Sequence, residues 1–214
     1  MKKIIILVTL ILSAAVSACI QEDSEPEPEG KFTVRSVDGY AEAIITGYVG
    51  STTDLRIPAR IQNLPVTVID TKAFSGKRLT SVSIPTSVRY IDHGAFADNQ
   101  LTSVIIPSSV THIGTSAFMN NQLTSVIISN SVTHLDTEVF RNNRLTSVII
   151  PESVLHIGDG AFESNQLTSV RIPDSVTNIG SMAFRNNQLS RVSVPTNTFV
   201  SRDAFDSRVT VTYR

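Results

Sequence analysis

Phenylalanine recurs along this chain at a fixed interval. Phe74, Phe96, Phe118, Phe140, Phe162 and Phe184 stand 22 residues apart, and Phe205 follows at 21. Leu79, Leu101, Leu123, Leu145, Leu167 and Leu189 keep the same period. One unit of this size cannot close an apolar face on itself, so copies bury that face against their neighbours and the chain folds as a solenoid. The unit reads Leu-Thr-Ser-Val-x-Ile-Pro-x-Ser-Val-Thr-x-Ile-Gly-x-x-Ala-Phe-x-x-Asn-x.

The letters of one coil predict its path. Ser103 to Ile106 is β-branched and alternating, which predicts a strand with Val104 and Ile106 inward, ended by Pro107, which has no N–H for a ladder. Equivalent strands should stack in register at about 4.8 Å as one parallel sheet along the solenoid. A second extended piece, Val110 to Ile113, buries Val110 and Ile113 and is released by Gly114; Ala117 and Phe118 then suit a short helical turn that drops the ring into the core. Asn99, Asn121, Asn143, Asn165 and Asn187 form a column in the turn before the next strand, where amides can bond to backbone of the adjacent coil.

Pro, Gly and the Ala-Phe pair recur at fixed offsets in successive units. On these letters the chain resembles the BspA-like leucine-rich repeat family across roughly residues 54 to 205. The asparagines stand where that family often has Cys, and the unit is about one residue shorter. The resemblance implies a leucine-rich repeat solenoid with a parallel sheet on one face, short extended segments and helical turns. Its ends have to be closed. Phe32 to Val34 and Ala43 to Ile45 flank Asp38-Gly39, which predicts a β-hairpin cap over residues 31–53; Leu55 to Phe74 is a degenerate first coil; Val209 and Val211 alternate with polar residues in a terminal strand over 206–214.

Ahead of the repeats, Lys2 and Lys3 precede an apolar run from Ile4 to Leu12 and small residues up to Ala18, the pattern of an export signal over 1–18. That run is too short to cross a bilayer. The chain's single Cys, Cys19, follows it, and the junction resembles the lipobox of bacterial lipoproteins, which implies cleavage before Cys19 and diacylglycerol on its thiol. Residues 19–30 then carry five carboxylates and two prolines, a composition that predicts a solvated spacer. The expected location is the bacterial cell envelope, lipid-anchored on the outer-membrane surface and facing outward.

Composition removes several function classes. One Cys cannot make an internal disulfide framework or a Cys-based zinc site. Residues 31–214 hold 16 basic and 14 acidic side chains, which leaves no basic excess for nucleic acid. His112, His134 and His156 share one column, but copying explains them, since no carboxylate column adjoins to orient the rings. The Ser103, Ser125, Ser147 and Ser169 column has no unique His and Asp partner, so the expectation is a non-enzyme without metal or cofactor.

What remains is binding. The outward strand positions run Ser83, Ile105, Ile127, Ile149, Arg171, Ser193, with Ser81, Ser103, Ser125, Ser147, Ser169, Arg191 beside them. Three isoleucines on a hydroxyl-rich field, bordered by Arg171 and Arg191, make a candidate partner-binding face. The family resemblance implies adhesion or recognition of an extracellular, matrix-type host protein. A structural or glycan-associated envelope role is the alternative, weakened by scattered tyrosines and the absence of Trp.

Overall fold

The computed structural model describes residues 26–37 and 40–214. The expected export signal, Cys19 and Asp38-Gly39, where a turn is expected, lie outside them. Each coil is roughly a triangle whose three sides bond to the next coil. The first side is the expected strand: Ser103–Ile105 pairs in parallel with Ser125–Ile127, matching Ser103 to Ser125, Val104 to Val126 and Ile105 to Ile127. Val104 and Ile106 are buried, as the alternation predicts.

The second side carries the two-residue strands Tyr90–Ile91, His112–Ile113, His134–Leu135, His156–Ile157 and Asn178–Ile179. They stack in register in two runs, the second of which continues to Phe199–Val200. The third side bonds through the Ala-Phe segment. Phe96 N donates to Ala117 O at 2.8 Å, Phe118 N to Val139 O at 3.0 Å and Phe140 N to Ala161 O at 2.9 Å. Helical character there is slight, because Ala117 N bonds back to Gly114 O but a left-handed residue stops the turn from propagating. Two such residues recur per coil, for example Ser116 at φ 56° and Asn120 at φ 56°.

Each phenylalanine of the repeat lies over the next. Centroid separations run from 5.2 Å for Phe74 and Phe96 to 5.7 Å for Phe118 and Phe140, with rings within 19° of parallel as far as Phe205. Aromatic pairs of this kind add roughly 1 kcal/mol each beyond the area they bury. The asparagine column ties coils together: Asn143 Oδ1 accepts from Leu123 N at 3.0 Å, and its Nδ2 donates to Phe118 O at 3.0 Å and Phe140 O at 3.1 Å. Among the described residues one core runs from Phe32 to Phe205.

The hairpin cap forms as predicted, with Phe32–Val37 antiparallel to Tyr40–Tyr48 and Val34 opposite Ile45. Its second strand also pairs in parallel with Leu64–Ile69, so the cap extends the short-strand side by two strands. Phe32 and Tyr48 close the phenylalanine stack at that end, 6.3 and 5.7 Å from Phe74. Burial, and then the nearby Glu27 carboxylate, push the Tyr48 phenol up to about 12.

Two expectations need correction. The acidic segment is not a solvated spacer to its end, because Glu27 N donates to Arg56 O at 3.1 Å and the Glu29 carboxylate accepts from Gln62 N at 2.9 Å. Backbone groups of the first coil, Arg56 O and Gln62 N, hold these residues in place. The long-strand sheet is also not continuous. Asp54–Arg56 pairs with Ser81–Ser83, Ser103–Ile105 with Ser125–Ile127, and Arg191–Val194 with Thr210–Tyr213, while 147–149 and 169–171 form no strand. In that gap Arg171 takes the outward place held by isoleucine in the three coils before it, which ends the row of β-branched neighbours.

Candidate functional site

The outward positions of the long-strand side lie where the alternation places them. Ile105 and Ile127 are half-buried, each flanked by its copy in the next coil, while Ile149 is 55% exposed. The difference comes from the neighbour. In the coil after Ile149 the place of the next isoleucine is taken by Arg171, whose guanidinium pairs with Glu152 and is held by it above its ordinary pKa. Arg191 is exposed, as are Ser147 and Ser169; Ser103 and Ser125 are half-buried. The three isoleucines are therefore contiguous but unequal, and the expected uniform patch contracts to one prominent side chain on a half-sheltered apolar row.

The short-strand side carries the histidine column. Strand pairing sets Tyr90 beside His112 in one ladder and His134, His156, Asn178 and Phe199 in register in the next. His134 and His156 stack at 4.7 Å, and Tyr90 lies 6.4 Å from His112. One carboxylate approaches the histidines, Asp136 Oδ2 at 4.0 Å from His112 Nε2, while Gly114, Gly158 and Gly180 fill the equivalent place in three other coils. The signal was available in the sequence: Asp92 and Asp136 both sit two places after the column. Asp92 is held above the usual carboxylate range by burial and then by the Asp70 charge, with His112 and Arg35 acting the other way. Even so, no group of three or more His, Asp or Glu side chains among the described residues is arranged to hold a metal ion. Among the same residues no helix is long and apolar enough to cross a membrane.

With coil, register and core established, likeness to known proteins can be weighed. A family profile described as BspA type leucine rich repeat region matches residues 67–191 in six copies. The chain belongs to the BspA-type leucine-rich repeat family. Repeat proteins of this family are generally scaffolds for protein interaction. The fold also matches the crystal structure of the Treponema pallidum leucine-rich repeat protein, with 23% identity over 87% of this chain and 86% of that one, at a TM-score of 0.50. The pneumococcal vaccine antigen PcpA matches at 18% identity over 86% of this chain and 48% of its own, at a TM-score of 0.54. No curated protein matches. At these identities the structures support the leucine-rich repeat fold and nothing finer.

Proposed function

We propose that this BspA-type protein is a non-catalytic, lipid-anchored surface protein of a bacterial envelope that binds an extracellular protein through its long-strand side. The observation that carries the reading is Ile149, a large apolar side chain 55% exposed where the long-strand ladder opens, in one column with half-sheltered Ile127 and Ile105. An exposed anchor ringed by partly buried contacts and hydroxyls is the arrangement that concentrates binding energy at protein interfaces. Arg191 and the Arg171–Glu152 pair supply a charged rim. The anchor at Cys19 rests on the lipobox letters, and a matrix-type partner rests on the family resemblance.

The glycan-associated alternative has less support. Sugars stack on ring faces, and His134 and His156 turn their faces to each other. The test is binding of the full chain to immobilised matrix proteins and glycans, comparing wild type with Ile149→Asp. Saturable binding to a protein, weakened at least tenfold by the substitution with thermal stability unchanged, supports the reading. Binding that ignores Ile149→Asp removes the site from this side, and binding to glycans alone favours the alternative. For the anchor, Cys19→Ser should move the protein from the membrane to the soluble fraction; retention in the membrane sinks lipidation at that residue.

A further inference from the structure

Two of the copied histidines meet as a pair. His134 and His156 are matched in parallel register, and their rings lie face to face, 4.7 Å apart and 24° from parallel. His112, one coil earlier, stands apart from them. Its strand belongs to the other ladder, and its Nε2 lies 4.0 Å from Asp136 Oδ2. Thr133 Oγ1 lies 2.9 Å from His134 Nδ1 and orients that ring. Leu155 holds the threonine's place in the next coil, so His156 is placed by the stack rather than by such a hydroxyl. His134 is exposed and His156 half-buried, so solvent reaches the pair.

We propose that His134 and His156 together bind a divalent transition-metal ion through their Nε2 atoms. Parallel pairing sets matched residues about 4.8 Å apart, and two metal–imidazole bonds of about 2.1 Å span up to about 4.2 Å between nitrogens. The stacked rings are close to that separation already. The bond from Cβ to an imidazole turns in a broad energy well, so a small rotation brings both Nε2 atoms onto one ion. The Thr133 contact suits His134 to the task. With Nδ1–H donating to Thr133 Oγ1, the lone pair stands on Nε2, the tautomer that a metal takes. Imidazole donors select copper, nickel or zinc, with Cu2+ held tightest, and pass over Ca2+ and Mg2+, which need oxygen ligands. Two protein ligands leave the remaining positions to water, so the ion is exchangeable rather than a closed structural metal. The pair lies on the short-strand side and does not depend on the long-strand reading.

Titration of the full chain with Cu2+ tests it. Electron paramagnetic resonance of the tightest-bound ion should show two coordinated imidazole nitrogens, and Zn2+ should compete for the site where Ca2+ does not. His134→Gln and, separately, His156→Gln should weaken Cu2+ binding at least tenfold. His93→Gln, at an exposed histidine outside the column, should leave it unchanged. Circular dichroism checks that the coils of each variant are intact, and the nitrogen count on the unsubstituted chain needs no variant. A single coordinated nitrogen, an affinity indifferent to either substitution, or an equal loss from His93→Gln overturns the proposal. Competition by Ca2+ as strong as that by Zn2+ also overturns it, since oxygen ligands would then hold the ion. Ile149→Asp should leave metal binding unchanged, so failure here and failure of the long-strand reading are separately visible.

Discussion

A buried amide shows how much one repeated letter can do in this protein. Asn143 accepts from Leu123 N and donates to the carbonyls of Phe118, Phe140 and Arg141, so one side chain satisfies backbone of two coils. Asn143→Ala leaves the buried Leu123 N–H without a partner, while Phe118 O keeps Asn121 Nδ2, Phe140 O keeps Asn165 Nδ2 and Arg141 O keeps Asn120 N, so the cost is about 2 kcal/mol. Asn143→Asp should cost more at neutral pH, because a carboxylate cannot donate to those carbonyls and brings a charge into the core. Urea midpoints of the two variants check the order; equal losses would mean that only the Leu123 bond matters. Asp92 gives a pH-dependent counterpart. Its folded pKa is raised, so the fold binds that proton more tightly than the unfolded chain does, and stability falls as pH rises through the unfolded value toward the folded one. Above both values the ionised carboxylate destabilises by a constant amount. Asp92→Asn should therefore melt higher than wild type at neutral pH, with the gain vanishing below about pH 3. A gain that persists in acid would show that charge is not its cause.

At the scale of the element, strand register and ring placement were legible because copying repeats their physics in every unit. The alternation of Val104, Ile105 and Ile106 decides which side faces the core, and the structure agrees with it. The left-handed positions were only half legible. One column reads Gly76, Asp98, Asn120, Asn142, Ser164 and Asn186, mostly residues that tolerate positive φ. The other reads Lys72, Gly94, Ser116, Glu138, Gly160 and Met182, where neighbouring coils impose a conformation that most of the letters do not favour. The opening of the ladder at 147–149 was hidden for a different reason, since those residues repeat the letters of 103–105 and 125–127. Exposure of Ile149 thus goes with the Arg171 that replaces isoleucine in the following coil, which the letters of its own coil do not specify. Gly158 makes the same point through backbone. A Cβ there would lie 2.8 Å from Leu135 O, Asp136 C and Thr137 N, although Asp136 fills the equivalent place one coil earlier. Gly158→Ala should cost about 2 kcal/mol, since rigid backbone has to shift, and thermal unfolding measures it; a neutral result would show that the coils can part there.

Across the whole molecule, stability is a chain of neighbour contacts along one continuous core. Phe140 has ring neighbours at 5.7 and 5.6 Å on its two sides, whereas Phe205 has Phe184 at 5.3 Å on one side and, among the described residues, no ring on the other. Opening should therefore start at the last coil, where half-buried Val200, Val209 and Val211 stand in for a cap. Arg214 is the device that holds this end. Its guanidinium donates to Ser193 O at 2.8 Å, to Ile172 O at 2.7 Å and to Asp174 Oδ1 at 2.8 Å, reaching back over two coils. The carboxylate partner is exposed and adds little. The two carbonyl bonds do the holding, because they fasten the terminal strand to backbone that belongs to earlier coils. Arg214→Ala should lower the local opening free energy by about 1 kcal/mol, seen as several-fold faster amide exchange over residues 190–213. Exchange over 101–145 should not change, since those coils share no neighbour with the last one. Uniform acceleration along the chain would mean that the solenoid opens as a single unit, and the neighbour-by-neighbour description would then fail.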